Sequence, residues 1–526
     1  LTHVTDPDGD TRPAKAGGRD CREPATLQDH YFYFAIDDGY LFNEAGLTSR
    51  LAVTYFDEAG FIEPQFDSVA GAYTSAKRID LTGTGEWRTT AWRLSPCKFA
   101  NRQNAGADFR LFVGPNQVKV ASVKLSPLAE HADAFGVHPR FPRQFVYRRQ
   151  PFFFVGKSAF PLIDADWRGF IDETHRDGFT VLRVWLCCPA LTRKHGKDHF
   201  QRNQAAGDLW PFGGTPAQPD FTRFNLDYFR RLDAILDHMA SKGMVAELTL
   251  FTGGDFWPSG PLAWDEVKQR YVQFVLDRCR DRPNLYYEIA NEYYGPEQQA
   301  FVEKVGDFIW ARDRAHLVTA SAGELPRFAA KPWYRLHNFH PSRGRNWWTR
   351  VYDEVLLPAR HARLPLVNDE PMGSRAADDK EEGYPGRDAD AAHHRMNFWV
   401  TVLGGGHVTF HSHKGINALA GHSPGQEFVK PLRAFFAKVP FWELEPAPER
   451  LKSGTAYLAA STDQLAAYLP AGGNATLDLR QLGGPLAARW FNPRAGAFGE
   501  TFNVGGGTLR EFTAPDGHDW ALQLKP

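Results

Sequence analysis

Hydrophobic positions change their rhythm twice along this chain. Up to about residue 135 they fall in short β-branched and aromatic runs: YFYFAI (31–36), RLAVTYF (50–56), RTTAWRL (88–94), DFRLFV (108–113) and VKVASVKL (118–125). Clusters of Gly, Pro, Asn and Asp separate these runs and no long amphipathic stretch intervenes, which predicts an antiparallel sandwich. From about residue 145 apolar runs alternate with helical periodicity. PFFFVGKSAF (151–160) reads as a strand, followed by a helix from about Asp166 to Asp177 and a second strand, TVLRVWL (180–186). Leu226, Phe229, Leu232, Ile235, Leu236 and Met239 share one helical face that ends at Gly243, before VAELTLF (245–251). Val267, Tyr271, Phe274 and Val275 mark the helix before NLYYEIANE (284–292), and Phe301, Val305, Phe308 and Ile309 mark the one before HLVTASAG (316–323). WYRLHNFH (333–340), LPLVNDE (364–370) and GGHVTFH (405–411) complete eight strands, with helical segments at about 346–360, 388–402 and 426–437.

Eight β-then-α units favour a closed (β/α)₈ barrel over an open doubly wound sheet. No GxGxxG or GxxxxGK[ST] follows a strand, so nucleotide binding is not expected. After about residue 445 short strands with Gly and Pro turns return. The predicted architecture is therefore a multidomain α/β plus all-β chain. Residues 1–135 form a β-sandwich, 136–445 the barrel and 446–526 a small C-terminal β-sandwich.

Composition narrows the function. Lys and Arg total 61 against 62 Asp and Glu, which argues against a partner bound through phosphate neutralisation. No apolar run approaches the ~20 residues of a spanning helix. Five cysteines are too few for a disulfide scaffold. Cys187 and Cys188 are adjacent, Cys279 lies in a helix, and Cys21 and Cys97 can pair if the protein is exported. The opening LTHVTDPDGD has no leader pattern, which a processed bacterial secreted or periplasmic protein would also show. Aromatic residues make up 14% of the chain, enough for both cores and sugar platforms.

Catalytic groups of such barrels sit where strands end. The fourth strand closes with Asn291 and Glu292, and the seventh with Asp369 and Glu370. Two carboxylates from different strands, ~5–5.5 Å apart, are the minimum equipment for retaining glycoside hydrolysis. Asn-Glu closing strand four, with a second Glu closing strand seven, resembles clan A of the glycoside hydrolases. QPFFFVGKSAF and ARWFNPRAG resemble the apiosidase-like barrel group, whose C-terminal domain carries a collagen-binding label. WRTTAWRLSPCKFANRQNAGADFRL resembles sandwich modules that accompany bacterial polysaccharide-degrading enzymes; its Trp87, Trp92, Asn101, Arg102, Asn104 and Asp108 are either sugar contacts or core and turn residues.

The resemblance implies roles. Glu292 is the general acid/base and Glu370 the nucleophile. Asn291 binds the sugar 2-OH, and Arg183 keeps the nucleophile ionised. His337 and His340 fall where the clan places a contact to the nucleophile, although strand alternation lets only one face the cavity. Trp185, Trp257 and His411 are candidate substrate contacts, with Phe410 or a loop Trp standing where many clan members carry a Trp under the sugar. Trp210, Phe212, Phe256, Trp347 and Trp348 are further platform candidates.

The expected function is thus a retaining glycosidase acting on plant or microbial polysaccharide or oligosaccharide. Its partner would be the carbohydrate, with no nucleic acid, no cofactor and no metal. Two other readings stand beside it. One is a carbohydrate-binding protein on a degenerate barrel. The other is a metal-dependent hydrolase using His393, His394, His407, His411 and His413. Locally, Asn291–Glu292 can be a plain cap, Glu370 a surface acid beside an inward Asp369, Arg183 an ordinary ion-pair partner, and each aromatic a core residue.

Overall fold

The computed structural model describes residues 1–38, 42–43, 47–128, 133–186, 209–215, 218–252, 257–321, 323, 327–341, 347–371, 391–411 and 423–526. It divides into two compact units, Leu1–Ala132 and Asp133–Pro526.

The first unit is an antiparallel β-structure of 11 strands. Thr2–Val4, Tyr31–Ala35, Phe109–Phe112 and Phe61–Ser68 form one half; Trp87–Cys97, Leu47–Phe56, Lys119–Leu128, Arg19–Pro24 and Thr11–Ala16 form the other. The two halves join through one pairing, Ser68 with Cys97. They enclose a shared core in which Phe32, Phe34, Phe66, Phe109 and Leu111 meet Leu51, Val53, Trp92 and Leu94. Trp92 is buried and its indole donates to the Lys77 carbonyl at 2.6 Å, while the Trp87 indole donates to the Ala16 carbonyl at 3.1 Å. Asp108 accepts from the backbone of Ile36 and Asn101, Arg102 binds Asp67, and Asn104 accepts from the Tyr73 hydroxyl. All these polar side chains have partners within the domain. Cys21 and Cys97 are buried free thiols, not a disulfide.

In the second unit eight parallel strands form the barrel: β1 (Val155–Ser158), β2 (Val181–Trp185), β3 (Val245–Phe251), β4 (Leu285–Ala290), β5 (Val318–Thr319), β6 (His337–Phe339), β7 (Leu366–Asn368) and β8 (His407–Phe410). They pair in the order β5-β4-β3-β2-β1-β8-β7-β6. Two parallel bridges, Val318 with Tyr334 and Ser321 with Asn338, close the ring. The helices are α1 (Trp167–Arg176), α2 (Leu226–Ser241), α3 (Glu266–Cys279), α4 (Pro296–Trp310), α5 (Ala391–Leu403) and α6 (Val429–Phe436), with a short helical stretch over Trp348–Arg350 and Val351–Leu356. Asn225 caps α2 by accepting from the backbone of Asp227 and Tyr228. Leu226, expected on the buried face, is exposed because it opens the first turn. Among the described residues no helix stands between β5 and β6. Trp333 fills that span and lies against α4, where a Cβ on Gly306 would come within 2.2 Å of its ring. The apolar run 151–160 proves to be two elements. Gln150–Phe152 pairs antiparallel with Phe145–Tyr147, and only Val155–Ser158 enters the barrel.

Strand alternation sorts the interior into layers. Leu182, Val184, Ala246, Leu248, Tyr287 and Ile289 face the helices. On the other face Val181, Val245, Tyr286, Leu317, Leu336 and Val367 meet Phe135, Phe145 and Phe154 in an apolar plug at one end. Two residues further along these strands come Arg183, Glu247, Glu288 and Asp369, all fully buried. The polar layer therefore rests on a greasy floor.

The C-terminal segment forms a six-stranded sheet facing a three-stranded one. It docks on α5 and α6, with Trp399 stacked on Tyr468 (centroids 5.3 Å, 8°) and Phe435 on Phe491. Within this apolar seam Arg395 grips Asp519 bidentately at 2.8 and 3.0 Å, and Tyr468 donates to the same carboxylate at 2.9 Å. Arg494 also lies 3.3 Å from Asp519, so Arg395→Met leaves the carboxylate with a weaker partner and should lower stability by about 2 kcal/mol, read as a fall in the urea midpoint. Adding Asp519→Asn should recover part of that loss. A double variant no more stable than the single one would refute this account of the seam.

Candidate active site

Arg183 sits at the centre of the polar layer. Its Nε and Nη2 donate to the two oxygens of Glu288 at 2.9 and 2.7 Å. Nη1 donates to Glu370 Oε1 at 2.6 Å, and Nη2 also to Asn291 Oδ1 at 2.7 Å. Asp369 Oδ2 lies 3.0 Å from Nε, and Glu247 Oε1 3.8 Å. Four carboxylates from β3, β4 and the end of β7 thus surround one guanidinium, whose planar fork suits such multiple recognition. Thr249 and Ser321 hydroxyls donate to Glu288, and Asn338 donates to Glu247 and Asp369.

The acids differ in charge. Burial pushes Glu247 well above the ordinary carboxylate range and neighbouring Asp369 and Glu288 push it further, against the pull of Arg183. Burial acts upward on Asp369 too, but Arg183 and His340 outweigh it and hold this carboxyl below its usual value. Burial by itself would lower His340; Glu370, Asp369 and Glu292 overcome it and push the imidazole up to about 10. The acids around the ring thus favour its protonated form. Its Nε2 faces Asp369 Oδ2 at 3.3 Å, and its Nδ1 lies 3.8 Å from Glu292 Oε1 and 3.9 Å from Glu370 Oε2.

Oxygens of Glu292 and Glu370 come within 4.8 Å of each other. The two environments are unequal: the Glu370 side chain is 10% exposed and that of Glu292 54%. Glu292 follows β4 with φ 57°, a left-handed conformation that costs a non-glycine residue roughly 1–2 kcal/mol. This kink turns the chain at the rim, while the Asn291 amide hydrogen stays bonded to the Phe251 carbonyl at 2.9 Å. His411 lies close by, with Nδ1 2.9 Å from the Ser158 hydroxyl and Nε2 4.0 Å from Glu370.

The structure thus brings together Glu292, Glu370, Asn291, Arg183, His340 and His411. His337 is not among them. Asn338 and His340 take the inward face, and His337 turns the other way to contact Tyr334 and Phe339. Trp257 is 4% exposed and packs among Phe212, Phe221, Phe251 and Tyr271, with Trp210 in the same aromatic core. Trp185 is buried at the rim, one face covered by Phe160 at 3.7 Å, so neither tryptophan offers an open platform. Phe410 points outward to His394, Phe398 and Phe179, and His411 takes the inward position beside it. Trp347 and Trp348 are half-buried and stacked on each other at 3.8 Å. Phe256 and His413 lie outside the described residues.

Glu247, Glu288, Ser321 and Asn338 were not anticipated, although an acid inside runs such as VAELTLF and LYYEIA is itself a signal of a buried pair. Tyr294 is a further addition. Desolvation and the nearby Glu292 and Glu370 raise its phenol well above the ordinary value, which keeps it a neutral donor.

Among the described residues two triplets have metal-ligand atoms within 4.8 Å of one another, Glu288–His340–Asp369 and Glu292–His340–Glu370. Both draw on His340, and Arg183 pairs with Glu288, Asp369 and Glu370 within them. Of the other candidate histidines, His411 lies 4.0 Å from Glu370, His407 donates to the Arg143 carbonyl at the opposite end of β8 and is lowered to about 4 chiefly by burial, and burial likewise lowers His394. Replacing Arg183 with Met should cost about 3–5 kcal/mol near neutral pH. Without the cation the buried carboxyls rise above their unfolded values, so the penalty is largest at neutral pH and shrinks as they protonate in both states towards about pH 4. Unfolding midpoints of both proteins across this range check the sign; a difference independent of pH would contradict it.

Comparison with known proteins agrees with this geometry. The model described as "Apiosidase-like, catalytic domain" matches residues 142–433, and one described as "Putative collagen-binding domain of a collagenase" matches 449–525. No curated protein matches the chain. Among solved structures, a glycoside hydrolase family 5 protein of Bacteroides vulgatus aligns with TM-score 0.58 at 17% identity, covering 74% of this chain and 93% of its own. A "putative glycoside hydrolase" of the same organism aligns with TM-score 0.58 at 16% identity, covering 94% and 97%. At these identities they speak for the fold, a (β/α)₈ barrel with β-domains on either side. The family model spans more than half of the chain, and with it the strands that carry Arg183, Glu292 and Glu370: this protein belongs to the apiosidase-like family and is a glycosidase.

Proposed function

We propose that the enzyme is a retaining glycosidase that cleaves plant or microbial polysaccharide or oligosaccharide by double displacement. The observation that carries this reading is the separation of Glu292 and Glu370, whose oxygens come within 4.8 Å. That favours direct attack by one carboxylate over the ~6.5–9.5 Å that inversion needs for an intervening water. Glu370, buried and bonded to Arg183, suits the nucleophile, since the guanidinium holds one of its oxygens and aims the other. Glu292, open to solvent, suits the acid/base, which must first reach the leaving group and then a water. The Asn291 amide oxygen is taken by Arg183, which leaves its NH₂ to donate to the sugar 2-OH, a contact that strengthens as oxocarbenium character develops. Tyr294 and the Trp347–Trp348 pair offer a phenol and an indole surface for the rest of the sugar.

The N-terminal sandwich we assign to an accessory role of the carbohydrate-binding-module kind, without Trp92 and Asp108, which its own core consumes. A metal-dependent hydrolase is disfavoured by Arg183, which already pairs with three of the carboxylates that a metal would need. A degenerate, purely binding barrel is disfavoured by the intact pairing of both acids with Arg183 and His340.

The two glutamates separate in kinetics. Glu370→Ala should abolish turnover, with azide returning a product of inverted configuration. Glu292→Ala should lower kcat on natural sugars about 10²–10⁴-fold, yet spare glycosylation by aryl glycosides with good leaving groups. Azide should then release a product of retained configuration. An inverted wild-type product, read by NMR at early times, would overturn the retaining assignment.

A further inference from the structure

We propose that Asp369 is a positioning residue that holds His340 as an imidazolium, with its Nδ1–H set between Glu292 and Glu370 so that one cation serves each carboxylate in turn. The inference rests on the roles assigned above to these two glutamates and goes beyond them by giving a task to the acid that precedes the nucleophile.

Geometry comes first. His340 is buried, and the Asp369 carboxylate faces its Nε2 at 3.3 Å. Asp369 is fixed from behind, by the Arg183 Nε at 3.0 Å and the Asn338 amide at 3.3 Å. An acceptor pinned in this way fixes a proton on Nε2. The other ring nitrogen makes no hydrogen bond among the described residues, although it is buried. It stands almost equidistant from the catalytic pair, 3.8 Å from Glu292 and 3.9 Å from Glu370, too far for a formed hydrogen bond and close enough for a strong ion pair. Every element around the ring contributes. Arg183 comes from β2, Glu288, Asn291 and Glu292 from β4 and its end, Ser321 (hydroxyl 3.4 Å from Nε2) after β5, Asp369 and Glu370 after β7, and His411 after β8, next to Glu370. Among these the acids outweigh Arg183, and the ring is pushed up to about 10.

The double displacement needs such a movable allegiance. In the first step the Glu370 carboxylate bonds to the anomeric carbon as the bond to the leaving oxygen breaks and Glu292 gives that oxygen its proton. Glu370 has then lost its charge to the ester, and Glu292 is the carboxylate. In the second step Glu292 takes a proton from water, the water oxygen bonds to the anomeric carbon, and Glu370 departs as the carboxylate. The negative charge thus passes from Glu370 to Glu292 and back, while His340 keeps both protons and stays beside whichever acid is ionised. A neutral imidazole would offer no charge to steady the carboxylate that acts as base in the second step, and that step would slow.

Two measurements test this. In the wild-type protein, ¹⁵N NMR of the His340 ring should show both nitrogens protonated through about pH 8; a ring that titrates near its ordinary value overturns the proposal, whatever the enzyme's activity on any sugar. In Asp369→Asn the same resonance should titrate within about pH 6–8. Above that titration kcat on an activated aryl glycoside should fall at least about tenfold while kcat/KM changes little and KM falls in step, because the base-dependent second step is the one impaired. Azide, which needs no base, should restore kcat. Below the titration the variant should approach wild type, and His340→Gln on the Asp369→Asn background should remove the new pH limb. If Asp369→Asn lowers kcat and kcat/KM equally at every pH, Asp369 acts through Arg183 or the fold and the inference fails. A product of inverted configuration would instead strike the retaining assignment itself.

Discussion

A guanidinium sealed from water must be surrounded by acceptors, and the mouth of this barrel is organised around that demand at Arg183. The residue is fully buried, so its charge is tolerable only because strands β3 and β4 and the end of β7 each bring a carboxyl to it. The carboxyls in turn need the cation. Desolvating either side alone costs several kcal/mol per ion. The cluster is therefore mutually conditional: Glu370, Asn291 and the supporting acids are positioned by one shared partner. Such a lattice orients its members closely, because each has several partners and few alternative rotamers.

The charges divide unevenly across the lattice. Glu247 is pushed well above the ordinary carboxylate range and Asp369 below it, although both are buried beside the same arginine. Glu247 is 3.8 Å from the guanidinium with other acids near, whereas Asp369 lies close to both Arg183 and His340. Distance and second partners set the direction, and burial alone would have moved the two acids the same way.

Much of this was readable in the sequence where local pattern and tertiary role agree. VAELTLF spans β3 as it stands, and the polar residues closing strands four and seven do meet at one site. The reading failed where composition misleads. TRPAKA and RDCREP have no apolar alternation to mark them as strands, but they pair at a sheet edge, where proline and charge are tolerated. PFFFVGKSAF is continuous in hydrophobicity while the backbone leaves one sheet and enters another within it. Trp257 falls in a predicted loop yet is core, because loop position does not fix where a large ring packs. Glu247 and Glu288 were passed over because attention went to strand ends, while their partner, Arg183, lies far away in sequence.

That separation has a consequence in time. Arg183 and Glu370 are 187 residues apart, and the apolar floor beneath them is assembled from segments as distant as Phe135 and Val367. A ribosome adding about 5–20 residues per second delivers β7 roughly 10–40 s after β2. Through that interval the arginine must remain hydrated and the half-built ring open, with its parallel edge unpaired. The last strands to emerge are those that dry the guanidinium and seal the floor. Barrel closure and formation of the charged cluster are thus one event on the folding path, set by the order in which the chain is made.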